Sequence, residues 1–444
     1  MAMSPSPIKP ATVLIVGAGI VGPALALLLK QKGYHPVVVE KVRERGDVGV
    51  AISLQPNGMK VMHLAGVASE LLHGPPSTPV TQRWDEFTDT GEFLGGPGSE
   101  LLGGFPEKYG MPVIGLTRTR LQTVLWDACQ RKGIPIHTGW RLARLDDDDN
   151  GTGSSSGDKD HDDDGEGGGA IMARSEDGRS IRADMVIGCD GLKSRTRDLL
   201  VEKRGGTNKD PDFTGVVVLG GACPTPKSLE TPAIRIWYGQ EMAVISHCLE
   251  DGMSVWGLNY GREKAAESWR TVPAEELADE VTKTLALVDG WAEPVREMIA
   301  TSRKMMTIGL YDRPELPVEQ WYHGRCVLVG DAAHPTTPHV GQGANQGLED
   351  AWHLVDLLPR CDELSPKTLS AGELEGIFHQ LASIRQGPTT MMVQQARAQG
   401  ELRVVKDKSP DARKKRDDLI RAKWQDVGAL QGMFDMMYNG PFRL

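Results

Sequence analysis

The N-terminal segment constrains the fold more than any other part of the 444-residue chain. Val13 to Val16 form an unbroken apolar run, which is typical of a buried parallel strand, and lead directly into Gly17-Ala-Gly-Ile-Val-Gly22. A helical stretch from Pro23 to Lys32 follows, and Pro36 to Val39 form a second strand that ends at Glu40. Strand, glycine turn, helix, strand and acidic residue in this order predict a βαβ unit that binds a dinucleotide.

The three glycines and the acidic residue have different predicted tasks. Gly17 makes the turn, Gly19 lets the backbone approach a pyrophosphate, and Gly22 allows the helix to pack closely on the strand. Glu40 falls at the spacing where a carboxylate accepts hydrogen bonds from an adenosine ribose. The unit by itself is compatible with either NAD or FAD.

A second glycine-rich segment, VGDAAHPTTPHVGQGANQGLEDA at residues 329–351, narrows this choice. An apolar strand stops at Asp331, and a helix begins close to Gly343, Ala344 and Asn345. Asp331 could accept hydrogen bonds from a polyol chain, and the helix N-terminus would stabilise a developing negative charge. A reduced flavin has both features, its ribitol and its N1–C2=O region. The alternative is a Pro/Gly-rich surface loop before an amphipathic helix.

A third segment is ADMVIGCD at residues 183–190, followed by GLKSRTR. With GAGIVG and GDAAHPTTPHVGQGANQGLEDA it makes the chain resemble the single-component FAD-dependent monooxygenases of the para-hydroxybenzoate hydroxylase type, over about residues 11–360. A closer resemblance is to fungal monooxygenases that oxidise the indole ring of alkaloids. It rests on VLIVGAGIVGPALALLLKQKGYHPVVVEK, LQPNG and GLYDRPELPVEQWYHGRCVLVGDAAHP.

The resemblance implies non-covalently bound FAD, NADPH or NADH as a transient donor, and O2 activated as a C4a-hydroperoxide. It places the Arg118 of an Arg-x-x-Leu motif against the flavin, and the loop after Glu40, including Ala51, close to the ring. The expected reaction is 2,3-epoxidation or hydroxylation of an indole, which needs no base. Alternatives are a phenol or salicylate-type hydroxylase, which needs one, and a flavoprotein that is not a monooxygenase. A halogenase is disfavoured because its WxWxIP motif is absent.

Two residues are candidates for a catalytic role. Arg195 follows Ser194 after the CDG strand, where a permanently charged fork could face the flavin or the substrate. Asp47, in the loop after Glu40, could hold or relay a proton beside it. The alternatives are a solvated helix arginine and an ordinary turn aspartate.

The expected fold is α/β, with a doubly wound, Rossmann-like FAD-binding domain, an antiparallel-sheet substrate domain and a helical C-terminal segment. The FAD-binding domain is predicted to be discontinuous, over residues 11–75, 112–200 and 305–360. Alternating strand patterns between residues 210 and 260 predict the antiparallel sheet. The substrate domain is assigned to residues 76–111 and 210–304, and the C-terminal segment to residues 361–444.

Composition excludes several other classes. The net charge of −10 resides almost entirely in residues 146–169, with a balance of −9, and this run predicts a disordered loop within a hairpin. It lacks the spacing of a calcium loop, so no metal site is predicted. No basic cluster suggests nucleic acid, and no apolar run suggests a membrane span. Six scattered cysteines favour a reducing cytoplasm, and we expect a small aromatic substrate and a monomer or weak homodimer.

Overall fold

The computed structural model describes residues 10–44, 51–96, 102–148, 169–263, 269–361 and 369–443. The strands in these ranges are β1 (Thr12–Val16), β2 (His35–Val39), β3 (Ile52–Leu54), β4 (Arg83–Thr88), β5 (Phe93–Gly95), β6 (Ile114–Leu116), β7 (Ile136–His137), β8 (Leu142–Asp148), β9 (Ala170–Ser175), β10 (Ser180–Ala183), β11 (Met185–Gly188), β12 (Asp212–Pro224), β13 (Ala233–Tyr238), β14 (Met242–Cys248), β15 (Met253–Gly261), β16 (Arg270–Thr271), β17 (Lys304–Asp312), β18 (Tyr322–His323) and β19 (Cys326–Leu328).

The α-helices in the same ranges are α1 (Val21–Gln31), α2 (Pro56–Leu64), α3 (Ala68–His73), α4 (Phe105–Tyr109), α5 (Arg118–Arg131), α6 (Arg195–Lys203), α7 (Leu277–Leu287), α8 (Glu293–Ala300), α9 (Gly343–Leu357), α10 (Ala371–Arg403), α11 (Pro410–Gln425) and α12 (Val427–Tyr438).

The first sheet is built around β1 and has the order β18–β19–β11–β1–β2–β7. β1 pairs in parallel with β2 and β11, and β7 and β19 continue the parallel arrangement outwards. The short β18 adds an antiparallel edge. Val13, Leu14 and Ile15 are fully buried, as expected of a parallel strand that is covered on both faces. The predicted α/β fold with its βαβ unit is confirmed.

The parallel order brings the three sequence motifs to one edge of this sheet. β1, β11 and β19 are adjacent, so the segments that follow their carboxyl ends lie side by side. These segments are the Gly17 turn, Cys189–Gly191 and Gly330–Asp331. Such an edge is where ligands bind in open α/β sheets.

The second sheet has the order β16–β17–β12–β15–β14–β13–β4–β5. Its neighbours are antiparallel except for β13 and β4, and the strands β12 to β15 agree with the antiparallel sheet expected between residues 210 and 260. β17 pairs with β12 in an antiparallel ladder. Residues 305–312, which the sequence assigned to the FAD-binding part, therefore lie in this sheet. Two smaller sheets consist of β10–β9–β8 and β3–β6.

The C-terminal segment is helical, as predicted. α10 begins with a capping box, in which Ser370 and Glu373 satisfy each other's backbone N–H groups. α10 packs against α9, α11 against β5, and α12 against α2, so the segment spans both sheets. Within the described ranges, none of the helices combines the length and the apolar character needed to cross a bilayer.

The acidic run lies between the two strands of a hairpin. β8 and β9 are antiparallel, and their register ends with Asp148 opposite Ala170. The predicted hairpin is thus present, while residues 149–168, and with them the prediction of disorder, lie outside the described residues.

We expect replacement of residues 150–167 by a short glycine-serine turn to leave folding and turnover unchanged. A hairpin whose strands are already in register needs little chain to close, and loop length has a small effect on free energy. The measurements are soluble yield, melting temperature and NAD(P)H oxidation. A variant that binds less FAD than the parent, or that loses an activity which depends on calcium in the parent, would contradict this prediction.

Candidate active site

A cavity of about 500 Å³ lies between the carboxyl edge of the first sheet and one face of the second. Six of the residues that the sequence predicted for the cofactor site line this cavity, namely Gly19, Ala51, Arg118, Asp331, Gly343 and Ala344. The second sheet contributes a mainly apolar and aromatic wall, consisting of Trp84, Val218, Ile234, Ile245, Val255, Trp256, Ile308 and Leu310. A site between two structural layers is the usual location for a small-molecule ligand.

The three glycines of the first motif are required for different steric reasons. Gly17 has a φ of 109°, and a Cβ on it would lie 2.4 Å from the Cys189 carbonyl oxygen. A Cβ on Gly22 would lie 2.0 Å from the Gly17 oxygen, so α1 could not approach β1 as closely. Around Gly19, in contrast, no atom beyond the adjoining residues lies within 4 Å of such a Cβ, which leaves the backbone open to a ligand.

Glu40 follows β2, beside the glycine turn but outside the cavity lining. Its carboxylate accepts hydrogen bonds from the backbone N–H groups of Ala18, at 2.9 Å, and Val42, at 3.0 Å. The side chain is half-buried. This is the position predicted for contact with an adenosine ribose.

Asp331 presents its carboxylate to the cavity at the N-terminus of α9. No hydrogen bond to this carboxylate comes from the described residues, and a Cβ on Gly343 would lie 3.6 Å from its Oδ1. The side chain is open to the cavity but surrounded by protein. This desolvation raises the pKa of Asp331, while the charges of His334 and Arg118 lower it. An unpartnered acceptor next to free helix N–H groups fits a ligand with hydroxyls and a developing negative charge.

Asn345 has a different position from its neighbours Gly343 and Ala344. It is fully buried, and its amide donates to the carbonyl oxygens of Ser53, at 3.0 Å, and Gly341, at 2.8 Å. Its Oδ1 accepts from the Gln55 N–H at 3.0 Å. The side chain therefore fixes the loop instead of lining the cavity.

Arg195 does not line the cavity. Its guanidinium donates to the Ala143 carbonyl at 3.0 Å and pairs with Glu202 at 3.3 Å, and 42% of its side chain is exposed. The neighbouring Arg197 is buried instead and donates to the Ala333 carbonyl. Arg195 and Arg197 are two positions apart on α6, so their side chains lie on opposite sides of the helix. Because Arg195 is on the side away from the cavity, this geometry gives no support to a catalytic role for it. Asp47 lies outside the described residues.

A buried ionic network holds residues 330–342, the loop that contains Asp331 and that we name the flavin loop. Asp350 accepts hydrogen bonds from the Gly330 N–H at 2.9 Å, from Arg385 at 2.6 Å and from His334 at 2.5 Å. Burial alone would raise the pKa of Asp350, but His334 and Arg385 hold it below its usual range. His334 is thus part of the support of the loop.

His247 of β14 is a cavity residue that the sequence reasoning did not single out. Its Nε2 shares a hydrogen bond of 2.8 Å with the Thr81 hydroxyl, and the residue is buried. Burial lowers the pKa of His247 to about 4, so the imidazole is neutral at physiological pH. One histidine inside an apolar strand gives no sequence signal that would separate it from a core residue.

Arg403, the last residue of α10, is a second cavity residue that the sequence did not reveal. It donates to His339 Nδ1 at 3.0 Å and to the His339 carbonyl at 2.7 Å. Burial and the charge of Arg403 lower the pKa of His339 to about 3. Its sequence position, far from the three motifs, offered no indication of this placement.

These residues fit a flavin nucleotide. Gly17, Gly19 and Glu40 would hold the adenosine and pyrophosphate, and Asp331 the ribitol, while Arg118 and the α9 N-terminus would lie at the isoalloxazine. FAD supplies hydride acceptance and oxygen activation when it is bound. The chain's own contribution is to bind and orient that group and to exclude water with the second sheet.

The geometry defines a protein of the flavin nucleotide-binding class, and comparison with known proteins identifies the group within it. The FAD binding domain family matches residues 10–360, and the chain belongs to this family. It is an FAD-dependent monooxygenase of the single-component aromatic hydroxylase type, which uses O2 and NAD(P)H. Among the described residues, no cluster of side chains suitable for a metal ion occurs.

Curated relatives agree with this assignment, and solved structures share the fold. The 3-amino-4-hydroxybenzoate 2-monooxygenase of Streptomyces platensis is 29% identical over 358 residues, which cover 79% of this chain and 80% of that protein. Klebsiella pneumoniae HpxO complexed with FAD and uric acid superposes with a TM-score of 0.78 at 22% identity, over 97% of each chain. A salicylate hydroxylase substrate complex gives 0.70 at 19% identity, over 95% of this chain and 97% of that one.

We expect Asp331→Ala to weaken FAD binding by roughly 10- to 150-fold, because the ribitol loses a charge-assisted acceptor worth about 1.5–3 kcal/mol. The dissociation constant can be measured from quenching of flavin fluorescence. Asp356→Ala, on the exposed side of the same helix, serves as the control. Full FAD occupancy in the Asp331 variant at low flavin concentration would refute the assignment.

We also expect stability to fall as the pH is lowered from about 6.5 towards 4. The pKa of His247 is lowered in the folded chain, so the unfolded chain takes up a proton that the folded chain does not. The contribution of His247 to the free energy of unfolding is therefore fully present above pH 6.5, the pKa of the unfolded chain. It is lost as the pH falls towards 4, and amounts to about 3 kcal/mol. Urea unfolding with saturating FAD at several pH values measures the slope.

The His247→Gln variant should show a shallower decline over the same pH range. The exposed His35→Gln variant is the control and should keep the slope of the parent. Parallel slopes for His247→Gln and the parent would contradict the prediction.

Proposed function

We propose that this monooxygenase inserts one oxygen atom of O2 into an electron-rich aromatic ring bound against the second sheet, and that this ring is an indole. NAD(P)H supplies two electrons, the second oxygen atom leaves as water, and the expected product is a 2,3-epoxide or a hydroxylated indole. The sequence resemblance to indole-alkaloid monooxygenases supports the substrate, and the chemistry of the cavity wall supports it independently.

The observation that carries the proposal is the weak basicity of the cavity wall. Among the described lining residues, Asp331 is the only carboxylate, and it lies on the flavin-loop side. His247, on the sheet side, has a pKa lowered to about 4 by burial. A group of such low pKa is poorly matched to removing a phenol proton near neutral pH. An indole avoids this requirement because its C3 is already nucleophilic.

The chain's residues would then act by positioning and by excluding water. Trp84 offers aromatic surface on which a planar ring can lie, and Ile245 and Val255 add apolar contacts. Packing against this wall would present one edge of the ring to the flavin side of the cavity. Orientation of this kind can lower the barrier substantially without any acid or base.

A phenolic substrate is the second candidate. The relatives named above act on a hydroxybenzoate and on salicylate, and His247 faces the cavity as a neutral proton acceptor. Hydrogen bonding to a phenol, with Thr81 holding the other side of the imidazole, would partly offset its low pKa. The two candidates differ in their need for His247.

The direct test is to supply ¹⁸O2 and NADPH or NADH with a panel of indoles and phenols, and to measure label in the product. We expect one labelled atom per NAD(P)H consumed with an indole that the cavity accepts, and peroxide release with poor substrates. Labelled phenol products without labelled indole products would replace the first candidate by the second.

His247→Asn should leave indole oxygenation within about twofold of the parent enzyme, because no proton is removed from the ring before oxygen transfer. Phenol turnover, where present, should fall by roughly 100-fold or more, the usual effect of losing a general base. His353→Asn is the matched control, since that histidine also has a pKa lowered to about 4 but does not line the cavity. An equal loss with indoles would contradict the base-free route.

A further inference from the structure

Arg403 is a buried cation at the cavity without a paired carboxylate. The residue is 3% exposed and lines the cavity, and the described residues form no ion pair with it. Its two hydrogen bonds both go to His339, to Nδ1 and to the carbonyl oxygen. An arginine has five N–H donors, and the Nε of Arg403 is buried without an acceptor.

His339 cannot supply the missing negative charge. Its pKa is lowered to about 3 by burial and by Arg403, so the imidazole is neutral and accepts through Nδ1. Burial lowers the pKa of Arg403, and the nearby Tyr238 and Glu86 raise it and so only partly offset that effect. Glu86 forms no ion pair with Arg403, and its Oε1 pairs with Lys423 at 2.8 Å. The C-terminal end of α10 contributes roughly half a negative charge, and no carboxylate of the described residues pairs directly with the guanidinium.

The position of the guanidinium is fixed from both sides. A Cβ on Gly400 would lie 2.8 Å from the His339 ring, so α10 approaches the flavin loop closely because this residue is a glycine. Arg403 follows one turn later and is held by His339. A side chain fixed in this way is preorganised for a ligand, which limits the entropy lost on binding. A buried charge without a direct ion-pair partner is costly for the fold, and an acceptor on a ligand would offset that cost.

We propose that Arg403 is a specificity-determining residue, which donates hydrogen bonds to an acceptor oxygen on the substrate, a carboxylate or a carbonyl attached to the ring. The inference rests on the proposed function, since it takes the ligand to be an aromatic ring in this cavity. In this proposal the apolar wall selects the ring, and Arg403 selects the substituent on the ring. Rings that carry a methyl group at the same position then bind more weakly.

Ligand binding, measured by calorimetry with the FAD-loaded enzyme, tests this without turnover. The probes are indole-2-carboxylate, indole-2-carboxamide and 2-methylindole, with 3-hydroxybenzoate, 3-hydroxybenzamide and 3-methylphenol as the phenolic set. In the parent enzyme, the acid or the amide should bind about 10- to 100-fold more tightly than the methyl compound. Preference for the acid identifies a carboxylate, and preference for the amide identifies a carbonyl.

Arg403→Gln should abolish that preference while the dissociation constant of the methyl compound and the FAD content stay unchanged. Arg403→Lys should recover part of the affinity for the acid, because a lysine keeps the charge but not the planar fork. Arg416→Gln is the matched control, since Arg416 is equally buried, donates to the Gly239 carbonyl and does not line the cavity.

The proposal is overturned if the parent enzyme binds the acid, amide and methyl compounds equally or binds none of them. It is also overturned if Arg403→Gln weakens all ligands by the same factor, which would indicate a structural role. Failure of the proposed function has a different signature, the absence of ¹⁸O in any product. A selective loss of acid or amide binding would still support Arg403 in that case.

Discussion

The site depends on the buried carboxylate of Asp350. This side chain lies on α9, and it holds three separate parts of the chain, the turn at Gly330, the loop at His334 and the C-terminal helix at Arg385. A buried ion is stable only when its hydrogen-bonding capacity is filled, and removing one partner typically costs about 3–5 kcal/mol. The positions of Asp331 and of the α9 N-terminus therefore follow from an interaction that makes no contact with the cavity.

Helix α10 of the C-terminal segment therefore belongs to the candidate active site. Arg385 in its middle stabilises the flavin loop through Asp350 and Glu349, while Arg403 at its end lines the cavity. The FAD binding domain family matches residues up to 360, so this helix lies beyond the matched region. One helix thus supports the flavin loop and also lines the cavity, which couples the two geometrically.

The residues proposed to hold the cofactor could be predicted from local sequence, and those of the cavity wall on the second sheet could not. Gly17 and Asp331 were predictable because a parallel strand that ends in a glycine turn fixes what its neighbouring atoms can do. His247 and Arg403 are single polar residues in a strand and at a helix end, where the local pattern is the same for a surface, a core or a site. Arg195 is a different case. The sequence located its motif but could not show which side of α6 faces the interior, and the structure buries Arg197 instead of Arg195.

The sequence by itself determined the βαβ unit, the order of the three motifs, the antiparallel sheet and the family, because each depends on short-range patterns of glycine, apolar residues and charge. The tertiary structure decided where β17 pairs, and it joined His247 and Arg403 to a cavity whose other residues are hundreds of positions away in places. Contacts of that kind depend on how separate elements pack, and on whether a buried charge finds a partner. Neither property is encoded in the spacing of residues along the chain.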